Sequence, residues 1–315
     1  MMRVIALVLI VLSGCNESTP PSHGKPHGRP VEVSSTHRGH GPISVVCTTG
    51  MVADLILAVG GDRVQVTTLM GEGVDPHLYK PSPGDVAKLD AASLILFNGL
   101  HLEGKMAELF SRLARRRPTF AVAEHLAPAD VLEIEGAIDP HVWFDVSLWR
   151  KTACVVRDVL VAYDPAEAKG YQERYDGYAA RLDALHEWAR KELSSIPPQR
   201  RVLVTAHDAF RYFGRAYGIE VRGIQGISTE SEAGVSEVNA LVDFLTERKI
   251  KAVFVESSVS ERNVKAIQEG CTARGHRLAI GGELFSDAMG KSGTPEGSYE
   301  GMVRHNVRTI VEALK

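Results

Sequence analysis

The sequence predicts an α/β protein made of two doubly wound α/β lobes that a single long spine helix joins. Apolar β-branched runs alternate with helical segments from Ile43 onwards, which is the pattern of a parallel sheet covered by helices on both faces. The same alternation starts again after the double proline Pro197-Pro198. Between the two series lies one long amphipathic pattern, and a chain of 315 residues is long enough for two such lobes.

The first series, residues 43–163, is predicted to form the N-terminal lobe. Its expected strands cover residues 43–48, 64–69, 93–97 and 119–122, and its expected helices include residues 51–59, 106–116 and 145–163. Ser82-Pro83 supplies a hydroxyl cap followed by a proline, which predicts a further helix start.

Residues 164–196 are predicted to form the spine helix. Asp164-Pro165-Ala166-Glu167 combines an N-cap, a proline and an acid in the first turn. A helix of this length spans roughly 45 Å, more than the width of one lobe. A coiled-coil segment of a dimer is the alternative, but the apolar stripe lasts only about three heptads. That stripe consists of Tyr171, Tyr175, Tyr178, Leu182, Leu185, Trp188 and Leu193.

Residues 197–315 are predicted to form the C-terminal lobe. Its expected strands cover residues 201–205, 220–224, 252–256 and 277–280, and its expected helices cover residues 209–217, 236–248, 261–274 and 299–314. The glycine pair Gly281-Gly282 is expected to open a loop that leaves the last strand.

The first 14 residues are typical of an export signal. A short positive region precedes an apolar run, Val4 to Leu12, that is too short to span a bilayer. Leu12-Ser13-Gly14-Cys15 resembles the lipobox of bacterial lipoproteins, which implies cleavage before Cys15 and lipidation of its sulfur. A plain signal peptide in which Cys15 is incidental is the alternative.

Residues 15–42 are polar and rich in proline, serine, glycine and histidine, which predicts a flexible tether. The tether carries His23, His27, His37 and His40. These rings either belong to a solvated linker or capture metal weakly and pass it on. The linker interpretation is favoured because no fixed geometry holds them.

Composition excludes one broad class of function. The net charge is −3, 24% of the residues are charged, and no basic stripe appears, so a nucleic-acid surface is not expected. No C-x-x-C pair occurs, so a zinc ribbon is not expected either.

A repeated tripeptide points to a metal site. Asp75-Pro76-His77 follows a predicted strand, and Asp139-Pro140-His141 repeats it. Each proline fixes its own φ and disfavours the α region for the preceding aspartate, so each imidazole sits on a stiff loop. A single Asp-Pro-His is more often an ordinary turn. The repetition, together with His207 and Asp287 beyond strands of the second lobe, favours metal binding, since ligand groups collect at the carboxyl ends of parallel strands.

From about residue 43 to residue 315 the chain resembles the zinc- and manganese-binding substrate-binding lipoproteins of bacterial ABC transporters, the periplasmic solute-binding protein family 9. The lipobox carries part of the resemblance. The other matching segments are VDPHLYKPSP, DPHVWFD, TAHDAFRYFGRAYGI, FVESSVS and IGGELFSDAMG. In that family two lobes joined by one long helix clamp a metal ion in the cleft between them. The resemblance implies the metal ligands His77, His141, His207 and Asp287.

The resemblance also implies a function. The protein would bind Zn²⁺ or Mn²⁺ as a transported ligand outside the cytoplasm and deliver it to an ABC transporter permease and ATPase. It would be a monomeric, membrane-anchored lipoprotein with no enzymatic activity, in the periplasm or on the outer face of the cell membrane. Three imidazoles and a carboxylate suit Zn²⁺, and an aspartate binding through both oxygens also suits Mn²⁺. Some manganese-selective relatives have glutamate where this chain has His207.

Three alternatives remain open at this point: a zinc-dependent hydrolase, a binding protein for an organic ligand such as a siderophore, and a cell-surface adhesin. The hydrolase lacks an HExxH motif, and a fourth protein ligand leaves no place for a catalytic water. Its candidate general bases are Glu230, Glu232, Glu256 and Glu283.

Each metal-bound imidazole needs a partner for its other nitrogen. The candidates are Asp75, Asp139, Asp145, Asp208 and Glu256, and for each of them a helix cap or a surface position is the alternative.

Overall fold

The computed structural model describes residues 31–39, 41–134 and 136–315. The predicted signal peptide, Cys15, and the tether residues His23, His27 and His40 lie outside the described residues. Within the described part of the chain, every helix is too short or too polar to cross a membrane.

The first lobe is built on a four-stranded parallel sheet with the order β2-β1-β3-β4. The strands are β1 (Ile43–Cys47), β2 (Val64–Thr68), β3 (Leu94–Phe97) and β4 (Thr119–Ala121). The helices are α1 (Gly50–Gly60), α2 (Pro83–Ala91), α3 (Ala107–Ala114) and α4 (Val146–Tyr163). The central strand β1 is almost wholly buried, as expected for apolar β-branched residues in a covered parallel sheet.

The predicted start of α2 is confirmed. Asp85 N–H donates to Ser82 Oγ at 3.2 Å, and Ser82 N–H donates back to Asp85 Oδ2 at 3.0 Å, with Pro83 as the first helical residue. This reciprocal pair satisfies two backbone donors that the first turn would otherwise leave without a partner. The loop before α2, which carries His77, is therefore anchored at its far end.

A short hairpin connects β4 to α4. Its strands are β5 (Glu133–Ile134) and β6 (Ala137–Ile138), paired antiparallel. Two-residue strands are too short to show an alternating pattern, so the sequence did not predict them. The hairpin leads straight into Asp139, whose backbone carbonyl accepts a hydrogen bond from the Tyr212 hydroxyl at 2.9 Å.

The spine helix α5 covers Ala168–Ser194 and follows a 3₁₀ turn at Pro165–Glu167. Its length of 27 residues corresponds to about 40 Å. The predicted stripe faces inward, with Trp188 half-buried and its other members buried. This face packs against α1, α4 and α9, so tertiary burial stabilises a helix that carries many charged residues.

The second lobe contains two pairs of parallel strands, β7 with β8 and β9 with β10, and β7 contacts β9. The strands are β7 (Val202–His207), β8 (Glu220–Gln225), β9 (Ala252–Glu256) and β10 (Ala279–Leu284). The helices are α6 (Arg211–Tyr217), α7 (Val235–Glu247), α8 (Arg262–Ala273) and α9 (Tyr299–Leu314). The predicted two-lobed α/β fold class is confirmed.

Two strands continue at least two residues beyond their predicted ends at residues 205 and 280. β7 continues to His207, which pairs with Gln225 of β8. β10 continues to Leu284, through the glycine pair that was expected to start a loop. A Cβ on Gly282 would lie 2.6 Å from Thr309 Cγ2 of α9, and its φ is +137°. These glycines therefore allow the strand to pass close to α9, with an irregular register, and do not end it.

The two lobes share one apolar core. A single cluster of buried side chains extends from Ile43 in β1, through α4 and α5, to Leu314 in α9. Asp54 of α1 joins these parts, because its Oδ1 accepts from the Tyr178 hydroxyl at 2.7 Å and its Oδ2 accepts from Tyr299 N–H at 3.1 Å. The last helix of the chain is thereby fixed to the first lobe and to the spine.

The described part of the predicted tether contacts the first lobe. The His37 backbone N–H donates to the carbonyl of Tyr163, the last residue of α4, at 2.6 Å. Val31 and Val33 are half-buried against the shared core.

Asp54→Ala should lower the free energy of unfolding of the metal-free protein by about 2–3 kcal/mol, because it leaves the buried Tyr178 hydroxyl without an acceptor. Asp62→Ala is the control, since Asp62 is exposed and its loss should change stability by less than about 0.5 kcal/mol. Chemical denaturation measures both changes. Equal stabilities for the two variants would contradict the role of Asp54.

Candidate metal centre

The loop after β2 presents His77 from the first lobe. Asp75 Oδ1 accepts a hydrogen bond from His77 backbone N–H at 2.8 Å, forming a tight side-chain turn around Pro76. His77 is only 4% exposed, although its neighbour Leu78 is 47% exposed. The loop therefore directs the imidazole inward and the next residue to solvent.

The second Asp-Pro-His tripeptide forms the same turn. Asp139 Oδ1 accepts from His141 backbone N–H at 3.0 Å, and the same oxygen lies 2.7 Å from Nδ1 of the His141 ring. Asn98, just beyond β3, donates its side-chain N–H to the Pro140 carbonyl at 3.1 Å. Both Asp-Pro-His segments thus adopt the same turn, and each turn holds a buried imidazole.

His207 is the last residue of β7 and is fully buried. Its backbone N–H donates to Glu256 Oε1 at 2.8 Å, and its Nδ1 lies 2.6 Å from Glu256 Oε2. Glu256 is itself the last residue of β9. One buried carboxylate therefore holds both the backbone and the ring of His207.

Asp287 follows β10 on a loop that two side chains hold. Asn306 of α9 accepts from Phe285 N–H at 2.9 Å and donates to the Phe285 carbonyl at 2.7 Å. Trp143 of the first lobe donates its indole N–H to the Ser286 carbonyl at 3.1 Å. Sequence reasoning assigned no role to Trp143 or Asn306, because hydrogen bonds to a distant backbone leave no local pattern.

The structure brings all four predicted ligand residues together between the lobes. One ligand atom from each of His77, His141, His207 and Asp287 lies within 4.8 Å of the others. The Nε2 atom of His141 is 3.3 Å from Nε2 of His77 and 3.3 Å from Nε2 of His207. The Asp287 carboxylate oxygens lie 3.7 Å from His77 Nε2, 3.4 Å from His141 Nε2 and 3.3 Å from His207 Nε2.

The separations of 3.3–3.4 Å are those expected between donor atoms around a tetrahedral metal ion. Donor atoms about 2.0–2.1 Å from a Zn²⁺ ion stand about 3.3–3.4 Å apart at the corners of a tetrahedron. When the neutral rings of His141 and His207 donate hydrogen bonds from Nδ1–H to Asp139 and Glu256, each Nε2 carries a lone pair. Lone pairs that converge at 3.3 Å on one another and on a carboxylate are stable only with protons or a metal ion between them.

The carboxylates determine the charge of the metal-free site. Burial alone would lower the pKa of His141, but Asp139 and Asp287 raise it to about 9. Burial also opposes the charge on His207, yet Glu256 and Asp287 hold its pKa well above the usual value. Burial lowers the pKa of His77 to about 3, and Asp287 opposes this only in part. Without metal, the carboxylates therefore favour protonation of the His141 and His207 rings beside Asp287.

Asp287 is the complementary partner of these rings. Burial opposes its ionisation, but His207 and His141 hold its pKa well below the usual value. When both rings are neutral and carry their proton on Nδ1, neither Asp287 oxygen receives a hydrogen bond within the described part of the chain. A metal ion can replace the two ring protons and satisfy the carboxylate at the same time.

Two of the five candidate partners contact a ring nitrogen. Asp139 and Glu256 hold His141 and His207, whereas Asp75 accepts from the backbone of His77. The remaining two have other roles. Asp145 caps α4 by accepting from Ser147 N–H at 3.0 Å, and Asp208 pairs with Arg211 of α6 at 2.5 Å.

Comparisons with known proteins identify the family of this chain. Residues 45–313 match the family model of ZnuA, described as zinc-uptake complex component A, periplasmic. The chain is 50% identical over 271 residues to the zinc-binding protein TroA of Treponema pallidum (strain Nichols), an alignment that covers 86% of this chain and 88% of that protein. It is 48% identical over 275 residues to the manganese-binding lipoprotein MntA of Bacillus subtilis (strain 168), covering 87% and 90% of the two chains.

A solved structure supports the same conclusion. The periplasmic zinc-binding protein TroA from Treponema pallidum superposes with a TM-score of 0.86 at 49% identity, covering 87% of this chain and 99% of that one. The family resemblance inferred from the sequence motifs is therefore confirmed. The chain belongs to the ZnuA family of periplasmic metal-binding components of uptake complexes.

Proposed function

We propose that the protein binds one divalent transition-metal ion, Zn²⁺ or Mn²⁺, outside the cytoplasm and delivers it to the permease of an ABC transporter for uptake. The observation that carries this proposal is the buried group of three imidazoles and one carboxylate, whose donor atoms converge at 3.3–3.7 Å. Relatives named as zinc- and manganese-binding proteins support both metals as cargo.

The proposed ligands are His77 and His141 from the first lobe and His207 and Asp287 from the second. Their burial and their convergence support this assignment. The proposed domains are the N-terminal lobe (43–163), the spine (164–196) and the C-terminal lobe (197–315). A site divided between lobes gives each ion contacts on both sides, so metal binding stabilises closure.

The proposed anchor is a lipid on Cys15, after removal of a signal peptide of residues 1–14, with residues 15–42 as a tether. The lipobox motif and the lipoprotein names of several relatives support it. The protein would act as a monomer, with the transporter's permease and ATPase as its partners.

The hydrolase alternative receives no support from the site. Four protein donors around one ion would complete a tetrahedral shell and leave no position for a catalytic water. Two of the candidate bases are already engaged, because Glu256 holds His207 and Glu230 pairs with Lys105 at 2.7 Å. The adhesin alternative stays a prediction, since the geometry of a metal site carries no information about adhesion.

Replacing any one of the four ligands by alanine should weaken zinc binding by more than about 100-fold. Residues that only orient a ligand already contribute about 10–100-fold to metal affinity, and a ligand should contribute more. Competitive titration against a chromogenic chelator measures the affinity. The matched control replaces His23, His27, His37 and His40 together by alanine and should leave the tight site intact. A control that loses the tight site while His207→Ala keeps it would overturn the assignment.

Zinc binding at pH 7 should release about two protons, because His141 and His207 are protonated in the metal-free site and His77 is neutral. Protons compete with metal below the raised pKa values, so affinity should fall by about 100-fold per pH unit as the pH drops from 7 to 5. Calorimetry in buffers with different ionisation enthalpies counts the protons. An affinity that does not change with pH would contradict an imidazole-rich site.

The isolated protein should bind Zn²⁺ more tightly than Mn²⁺, because a third imidazole favours zinc and lowers the negative charge that a hard ion needs. His207→Glu should reduce the difference in affinity between Zn²⁺ and Mn²⁺. The reduction should be clearest when His207→Glu is combined with Glu256→Gln, because Glu256 would otherwise face a second buried carboxylate. Glu256→Gln alone is the control. Competitive titration with both ions measures selectivity, and a wider zinc preference in the double variant would refute the argument.

A further inference from the structure

We propose that Thr229 is a positioning residue that controls how fast the bound metal leaves, through a hydrogen bond to Asp75 across the two lobes. The Thr229 hydroxyl donates to Asp75 Oδ2 at 2.6 Å. We call this pair the Asp75–Thr229 latch. The inference rests on the proposed function, because it assumes that the ion is held between His77 in one lobe and His207 in the other.

At the first-lobe end, the latch acts on the loop that carries His77. The two oxygens of Asp75 accept different hydrogen bonds. Oδ1 accepts one from His77 N–H at 2.8 Å, and Oδ2 accepts one from the Thr229 hydroxyl. The same carboxylate therefore shapes the backbone next to one ligand and contacts the opposite lobe. The other Asp-Pro-His turn differs, since Asp139 uses Oδ1 for both the backbone and the ring of His141.

At the second-lobe end, Thr229 lies on the connection between β8 and α7, and this connection is fixed close to His207. Asp208 N–H donates to the Gly226 carbonyl at 3.2 Å, and the Gln225 side chain donates to the Ser231 carbonyl at 3.2 Å. Gln225 is the residue that pairs with His207 in the strand register. The latch thus joins the loop that carries His77 to a connection whose ends are hydrogen-bonded beside His207.

The latch is shielded from water, which makes it stronger than the other polar contact beside it. Thr229 is 8% exposed and Asp75 is half-buried, so their charge-assisted hydrogen bond competes little with solvent. The adjacent ion pair between Lys105 and Glu230 also joins the lobes, at 2.7 Å, but its side chains are 30% and 49% exposed. Exposed ion pairs contribute little to stability.

The latch opposes release of the bound metal. Separating the lobes moves His77 away from His207 and must break the hydrogen bond between Asp75 and Thr229. The hydroxyl touches none of the ligand atoms within hydrogen-bonding distance in the described part of the chain. Its loss should therefore leave the ligand set intact and speed opening, so the effect falls on the dissociation rate.

The test compares Thr229→Val, which keeps the side-chain shape without the hydroxyl, with Thr229→Ser, which keeps the hydroxyl. The full chain loaded with Zn²⁺ is mixed with excess chelator, and the dissociation rate is followed by stopped flow. Thr229→Val should release zinc about tenfold faster, the equivalent of one charge-assisted hydrogen bond. Thr229→Ser should stay within about twofold of the wild-type rate.

Glu230→Gln is the matched control, because it removes the exposed ion pair from the same connection and should change the rate by less than about twofold. Thr229→Ala, which adds no apolar atoms, must also raise the dissociation rate of zinc, as Thr229→Val does. Wild-type release rates in both variants, or a serine variant as fast as valine, would overturn the latch. A wild-type protein that binds no zinc would instead contradict the proposed function.

Discussion

The hydrogen bonds from two buried imidazoles to Asp139 and Glu256 are the interactions on which the metal centre depends. Each carboxylate holds a ring at Nδ1, at 2.7 Å and 2.6 Å, and so directs Nε2 towards the other donors. Burying a carboxylate is costly unless a partner compensates for it. Here the histidines compensate, and the resulting arrangement of converging lone pairs is stable only with protons or a metal ion at its centre. The same contacts thus stabilise the fold and create the binding site.

The fold supplies the rigidity that such a site requires. His207 and Glu256 end two strands that contact each other, and the hydrogen bonds between these two residues fix their separation. The spine helix and α9 share one apolar core with the first lobe, and Trp143 reaches across to the loop before Asp287. Close-packed interiors deform little, so the lobes are held near the separation at which the four donors meet.

The sequence predicted the fold class and the four residues that converge at the candidate site because both leave local patterns. Strand and helix alternation, the capped start at Ser82-Pro83 and the repeated Asp-Pro-His each occupy a few adjacent residues. Features that depend on distant parts of the chain were missed or misplaced. The strand β10 passes through Gly282 because α9 lies close above it, and Thr229 matters only because it meets Asp75 154 residues away. Helix and strand ends shifted for the same reason, since tertiary contacts determine where pairing stops.

The central claim is that one ion is bound by three imidazoles and one carboxylate. X-ray absorption spectroscopy of the zinc-loaded protein, combined with elemental analysis, tests it most directly. The zinc-loaded protein should contain one zinc per chain, with a first shell of nitrogen and oxygen at about 2.0–2.1 Å and outer-shell scattering from three imidazole rings. A sulfur shell near about 2.3 Å, fewer than three imidazoles, or a stoichiometry other than one would contradict it.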